Sequence, residues 1–419
     1  MDAVASALGL YISIPFCRSK CTYCNFASGV YPASDQTRYV ERLMEDLAGA
    51  GAWAGRVGAE LPRRVDTIYL GGGTPSLLAP ELLERLFAAV RAEFDVDADA
   101  EITVECAPGQ LAEETLAALL AVGVNRVSLG VQSFIDREAQ LSGRLHNRAK
   151  VEADLGRLRA AGIENLNVDL IAGLAAQTLD SWEESLTALV DSDVPHASIY
   201  MLEVDEDSRL GREMLSAGTR YHAGLVPSDD AIAAMHERAV ERLNEAGLEQ
   251  YEISNFCRAG RASRHNRRYW ERKPYLGVGL DASSMLRAAG GSGRGAQVAR
   301  DGWVMRAATT DELKGYLAGD RPLETEWLSP ERQVEEAWFL GLRMNEGVRL
   351  TALEREFGRA RVAPGLETVL RLKEDGLATF DGETVRLSAR GRLISNEVFQ
   401  QFLTDVADQP GIQPMAAMR

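Results

Sequence analysis

Lysine, histidine and cysteine are all scarce in this 419-residue chain, and each shortage narrows what the protein does. Lys supplies 5 of the 46 basic residues, the other 41 being Arg, and 62 acidic residues bring the net charge to −16. A surface so acidic excludes binding to nucleic acid through its phosphates and docking on an anionic membrane face. No run of eighteen apolar residues is present, so no helix is expected to span a bilayer. Residues 1–8 carry neither a basic n-region nor a cleavage site, so no signal peptide is expected and the protein is read as cytoplasmic. There is no low-complexity tract, and with 46% hydrophobic residues the chain can bury a large core. The five cysteines are odd in number, and Cys17, Cys21 and Cys24 fall within eight residues. That clustering excludes a secreted disulfide framework and points to a metal site in a reducing compartment.

Strand and helix patterns alternate over the first 250 residues. Strands are expected at 10–14, 67–70, 101–105, 126–130, 165–170 and 197–202, each short, aliphatic or β-branched, and followed by a turn signal. Between them the apolar residues recur at helical spacing, as in Leu82, Leu83, Leu86, Phe87 and Val90. Six β/α units in succession imply a parallel sheet with right-handed crossovers. Periodicity leaves a doubly wound sheet and an open barrel both standing. A further strand is expected at 250–256, a basic aromatic segment at 258–273, and a Gly-rich loop at 288–297. From residue 328 the pattern turns helical, with Ser329-Pro330 as a helix start and helices expected at 351–357 and 367–375. Asp381-Gly382 marks a tight hairpin. Helix, helix, hairpin outlines a winged-helix module, which in so acidic a chain reads as a packing or partner surface. The division expected is 1–250, 251–325 and 326–419.

The sharpest motif is Cys17-Arg18-Ser19-Lys20-Cys21-Thr22-Tyr23-Cys24. This C-x3-C-x2-C spacing offers three thiolates from one loop, as iron–sulfur clusters require. Three ligands on a four-iron cubane leave one iron open to an outside ligand, by the logic that keeps a catalytic zinc position open. Structural zinc is the alternative, but it wants a fourth Cys or His, and none lies between residues 1 and 105 outside the motif. Gly71-Gly72-Gly73-Thr74-Pro75 follows the second expected strand, where glycines allow a ligand to approach the backbone, although tight turns use Gly too. Glu105, Gln132 and Asp169 fall at or just beyond the ends of the next three strands; strand ends form the active face of a β/α barrel.

The cysteine spacing after a first strand, with Tyr11-Ile12-Ser13-Ile14-Pro15-Phe16 before it, resembles the radical S-adenosylmethionine superfamily. Within it the chain is similar to the oxygen-independent coproporphyrinogen III oxidase-like family, which includes heme chaperones. The resemblance implies a partial (β/α)6 TIM-type barrel with a C-terminal, mainly helical winged-helix-like domain. It also implies a [4Fe-4S] cluster on Cys17, Cys21 and Cys24 whose open iron chelates S-adenosylmethionine. Reductive cleavage then gives a 5′-deoxyadenosyl radical. By the same resemblance Tyr11, Gly72 and Glu105 match contacts to the cluster-bound S-adenosylmethionine. Tyr23, Gly73, Thr74, Gln132, Arg144 and Asp169 match contacts to a second molecule of it.

His265-Asn266-Arg267-Arg268-Tyr269-Trp270 lies among seven basic residues, Arg258 to Lys273. Imidazole is a heme-iron ligand, aromatic rings pack a macrocycle, and arginines pair with propionates. Composition alone equally fits a solvated Arg-rich loop with His265 packed. The hexapeptide resembles the HNxxYW motif of the heme chaperones, which implies heme binding with His265 as an exposed axial ligand. Cys106 and Cys257 read as core residues. His146, His196, His222 and His236 are scattered, with His146 beside Arg144 the one placed near the barrel mouth. Two features separate chaperone from oxidase: Phe26 stands where the oxidase has a further Cys, and only sixteen residues precede Cys17. Against the family pattern, Ser283 replaces a usual His. The reading expected is a chaperone that passes heme to a respiratory acceptor protein, with dimerisation left open. The alternative is an oxidase converting coproporphyrinogen III to protoporphyrinogen IX.

Overall fold

The computed structural model describes residues 7–216, 218–290, 302–319 and 324–403. The Gly-rich stretch expected at 288–297 falls largely outside them. The described residues form two compact units, the second comprising Trp270–Arg272 and the chain from Leu328.

Six strands build the first unit: β1 (Leu8–Ile14), β2 (Arg64–Gly72), β3 (Asp95–Cys106), β4 (Arg126–Gln132), β5 (Asn165–Ala172) and β6 (His196–Met201). They lie side by side in sequence order and all run parallel. A doubly wound sheet reverses strand order at a switch point. Unbroken order with right-handed crossovers instead wraps the sheet into a barrel wall. The wall is open: β1 continues into the parallel strand β9 (Tyr275–Val278), and β6 into the antiparallel pair β7 (Glu249–Gln250) and β8 (Asn255–Cys257). Three more strands, β10 (Ser283–Arg287), β11 (Val304–Ala308) and β12 (Glu324–Leu328), extend the β9 side. The partial (β/α)6 barrel is therefore the architecture, and strands from 255 to 328 extend its sheet at both edges.

Period-two alternation gives the wall two unlike faces. Leu10, Ile12, Ile68, Leu70, Ile102, Val104, Val127 and Leu129 point outward into the core under the helices. Those helices follow the expected apolar spacing, for example Pro80–Glu93 burying Leu82, Leu83, Leu86, Phe87 and Val90. The inward face is polar: Tyr11, Thr67, Tyr69, Glu101, Glu105, Ser128, Asn167, Asp169, His196 and Ser198 bond or stack with one another and with the helix Arg264–Trp270. Buried polar groups need partners, and this row supplies them to one another.

The strand expected at 250–256 is two short strands. Tyr251 N–H donates to the Asn255 carbonyl at 3.0 Å, and the Glu252 carboxylate accepts from Ser254 N–H at 3.0 Å, so the chain turns between them. In the second unit, helices Pro330–Leu342, Leu350–Phe357 and Arg359–Glu374 accompany a three-stranded sheet of Val348–Arg349, Thr384–Leu387 and Ala378–Phe380. Asp381 closes the hairpin by accepting from the Glu383 and Thr384 amides at 2.9 and 2.7 Å. This is the winged-helix outline.

Candidate cofactor site at the barrel mouth

The three cysteines sit on the loop after β1, free as thiols. Backbone bonds pin this loop at both ends. Cys17 N–H donates to the Gly29 carbonyl and Gly29 N–H to the Pro15 carbonyl, both at 2.9 Å. The loop after β2 holds it from beside: Gly73 N–H donates to Ile14 O at 2.9 Å and Thr74 N–H to Phe16 O at 2.8 Å. A Cβ on Gly73 would stand 2.8–2.9 Å from backbone atoms of residues 14–16, so only glycine permits this approach. Gly72 has φ +99°, again a glycine conformation.

Side chains from several strands reach the sulfurs. Thr74 Oγ1 donates to Cys17 Sγ at 3.9 Å, and Arg144 Nη1 to Cys21 Sγ at 3.4 Å. Cys24 Sγ lies 3.8 Å from Ser28 Oγ. Burial pushes the Cys17 and Cys24 thiols up, and the neighbouring sulfurs add to the effect. A metal bound by these sulfurs would hold them as thiolates. Among the described residues no three His, Cys, Asp or Glu side chains converge on one metal ion. Thiolates of a cubane bind three separate irons, so they need no common point. The donor set, three unpaired thiols on one pinned loop with hydrogen-bond donors aimed at the sulfurs, fits such a cluster.

Below the loop, Glu105 ends the inward row of β3. It accepts from Tyr69 Oη at 2.8 Å and from Gly72 N–H at 3.2 Å. Burial raises its carboxyl to about 7, with Asp169 adding to the rise and Arg126 opposing it. Tyr11 stacks on Tyr69 at 6.2 Å. Asp169 accepts from Ser128 at 3.0 Å and Asn167 at 2.7 Å, and burial raises its carboxyl too. Gln132 is held at φ +69°, with its buried Oε1 unbonded. A non-glycine residue in that region at a strand end is stored strain of the kind found at ligand sites. Arg144, one of whose Nη groups bonds the Gly130 carbonyl, ties the β4 end to the cysteine loop. Tyr23 lies on that loop, its hydroxyl pushed well up by burial. Gly72, Glu105 and Gln132 lie at the C-terminal ends of β2, β3 and β4, Tyr23, Gly73, Thr74 and Arg144 in the segments beyond β1, β2 and β4, and Tyr11 and Asp169 midway along β1 and β5.

His265 lies elsewhere. It is 1% exposed, with Nδ1 2.9 Å from Thr67 Oγ1 and Nε2 2.9 Å from Tyr269 Oη. Burial lowers it to about 3, Arg268 and Arg126 contributing. The imidazole expected to be exposed is buried, with both ring nitrogens on protein partners. The helix Arg264–Trp270 instead seats in the barrel floor. Glu101 accepts from the Arg264 and His265 amides, both at 3.0 Å. Arg268 passes over Gly9, donates to the Ala7 and Pro274 carbonyls at 2.8 and 2.9 Å, and pairs with Asp66. Trp270 is buried as well.

Two residues of the site were not singled out from the sequence. Tyr69 links Tyr11, Glu105 and the His265 ring, whose centroid is 5.3 Å away. Arg126, on the inward row of β4, is 1% exposed, with Nε and Nη2 unbonded, and its charge opposes the burial of Glu105 and Asp169. The signal for both was the alternation of polar residues within the strands.

Fold and site together define a radical S-adenosylmethionine protein: residues 11–189 match the model of the Radical SAM superfamily, and 328–394 that of the HemN C-terminal domain. The chain is 32% identical over 400 residues to the heme chaperone HemW of Lactococcus lactis, covering 94% of this chain and 97% of that protein. It is 32% identical over 397 residues to heme chaperone HemW of Bacillus subtilis, covering 94% and 99%. In fold it is similar to coproporphyrinogen III oxidase (HemN) from Escherichia coli, with a TM-score of 0.77 at 23% identity over 95% of this chain and 90% of that one. The chain belongs to the HemW family.

Proposed function

We propose that this protein is a radical S-adenosylmethionine heme chaperone. It carries a [4Fe-4S] cluster on Cys17, Cys21 and Cys24, binds S-adenosylmethionine at the strand ends, and passes heme to a respiratory acceptor. The observation that carries the S-adenosylmethionine part is the closeness of the cysteine loop to the Gly71–Thr74 loop, with Glu105 bonded directly beneath. When bound, the cluster supplies the electron that cleaves S-adenosylmethionine. The chain's own part is positioning. Gly72 and Gly73 leave backbone room for the amino end of the ligand, and Glu105 offers that ammonium a carboxylate. Tyr69 keeps the carboxylate aimed by its hydrogen bond. Asp169 on β5, Gln132 at the end of β4 and Arg144 in the segment beyond it offer acceptors and a cation, suited to a ribose and a carboxylate.

The heme part rests on the HemW relatives. Phe26, on the cysteine loop, favours it over the oxidase reading, because the oxidase of this family has a cysteine there. The test is anaerobic: reconstituted protein with coproporphyrinogen III, S-adenosylmethionine and heme, read for protoporphyrinogen and bound heme together. Heme bound with no protoporphyrinogen is expected. Cluster-dependent protoporphyrinogen formation overturns the chaperone reading.

A further inference from the structure

The inward face of the barrel wall holds a buried arginine that the proposed ligand contacts do not use. Arg126 opens β4 and shares its inward row with Ser128. In register it lies beside Thr103 of β3 and Asn165 of β5. It is 1% exposed, and its Nε and Nη2 bond to nothing. The nearest oxygens in the row, Thr103 Oγ1 and Asn165 Oδ1, are buried and unbonded too, so the guanidinium does not take the acceptors beside it. Among the described residues no carboxylate forms an ion pair with it. An unpaired charge in a protein interior is costly, and in so dry a place its field reaches well beyond its contacts.

Two carboxylates stand nearer the barrel mouth on the neighbouring strands. Glu105 is one inward position beyond Thr103 on β3, and Asp169 is two beyond Asn165 on β5. Carboxylates that share a buried space repel, and one of them then takes a proton at neutral pH. The other titratable groups around Glu105 are Tyr11 on β1, Tyr69 on β2, Tyr200 on β6 and Tyr269 on the floor helix, all held protonated by burial. None of these brings a positive charge. Arg126 does, and it works against the rise that burial and Asp169 impose on Glu105. It opposes the rise at Asp169 in the same way.

We infer that Arg126 is a positioning residue for S-adenosylmethionine: its unpaired charge lets Glu105 and Asp169 stand as anions together, ready for the amino end and the ribose of the ligand. This rests on the proposed binding of S-adenosylmethionine at the strand ends and names the residue that sets its pH range. With a neutral side chain at 126, Glu105 takes up its proton at a higher pH, and the ligand's ammonium loses its partner there. An arginine kept for packing alone has no such effect.

The test titrates S-adenosylmethionine into the full-length, cluster-reconstituted and reduced protein between about pH 6 and 9, a range that brackets Glu105. The change in the electron paramagnetic resonance spectrum reads the affinity, and iron and sulfide content checks folding. Wild type is expected to lose affinity below about pH 7. Arg126→Met is expected to lose it at a pH higher by on the order of one unit, and to regain wild-type affinity at the alkaline end. Arg126→Lys, which keeps the charge, is expected to restore the wild-type profile. In Glu105→Gln the added Arg126→Met change is expected to shift nothing. Arg126→Gln, neutral and polar, repeats the measurement if the methionine variant loses its cluster. A wild-type profile in the neutral variants, or a loss of affinity equal at every pH, overturns the inference and leaves the ligand site standing. A wild-type spectrum that S-adenosylmethionine does not change at any pH overturns both.

Discussion

Removing the His265 imidazole tests the role of the floor helix most sharply. His265→Ala deletes two buried hydrogen bonds, to Thr67 and Tyr269, and a ring contact with Tyr69. At about 1 kcal/mol for each bond and about 1 for the ring pair, the first unit loses on the order of 3 kcal/mol. For a unit of this size that is a fall of about 6 °C in its thermal midpoint. The pH dependence adds a second signature. His265 is held near 3 when folded and returns to about 6.5 when unfolded, so unfolding takes up a proton between those values. Stability therefore falls as pH drops from about 6.5 toward 3, by up to about 1.4 kcal/mol per pH unit for this one group. His146, lowered to about 4 by burial and by Arg144, acts in the same sense. His265→Ala should be less stable at pH 7 yet lose stability less steeply on acidification, by one proton's worth of slope. Calorimetry from pH 7 to 5 reads both quantities. An unchanged midpoint and slope would refute the buried network.

Other consequences are as direct. Glu105, raised to about 7, must be ionised to meet an ammonium, so S-adenosylmethionine affinity should fall as pH drops below about 7 and level off above it. Glu105→Gln should bind weakly without that dependence, and a parallel pH profile in both proteins would remove Glu105 from the contact. Gly73→Ala places a methyl 2.8–2.9 Å from the backbone of residues 14–16. It should displace the cysteine loop and abolish the change that S-adenosylmethionine makes in the electron paramagnetic resonance spectrum of the reduced cluster. A wild-type response there would show that the two loops need no such closeness. Ala in place of Cys17, Cys21 or Cys24 should lower the content of about four irons and four sulfides to background. Stoichiometric zinc in the wild type without iron absorption would contradict the cluster.

What was legible in the sequence was local. The six strands, the cysteine spacing, the glycine run and the Asp381-Gly382 hairpin depend on neighbours within a few residues, and the wall follows from repeating one unit. The floor helix was not legible. Arg264–Trp270 has no apolar stripe, and its N-terminus is satisfied by Glu101, a residue 164 positions away. Read alone, its arginines and aromatic rings suit a heme; in place, Arg268 anchors β1 and β2 and His265 fills the space beside Tyr69. Tyr69 and Arg126 were hidden for a related reason. Each becomes a site residue only through register, which sets Tyr69 opposite Tyr11 and Thr103, and Thr103 opposite Arg126.

The central claim is that this protein carries heme for another. The most direct measurement loads the cluster-reconstituted protein with heme and mixes it anaerobically with membranes from heme-starved cells. The Soret absorption of the soluble fraction and the heme-dependent respiratory activity of the membranes are then followed together. The account predicts that heme leaves the protein and activity appears in step, faster than from free heme at the same concentration. Heme that stays on the protein, or activity restored no faster than by free heme, would contradict it.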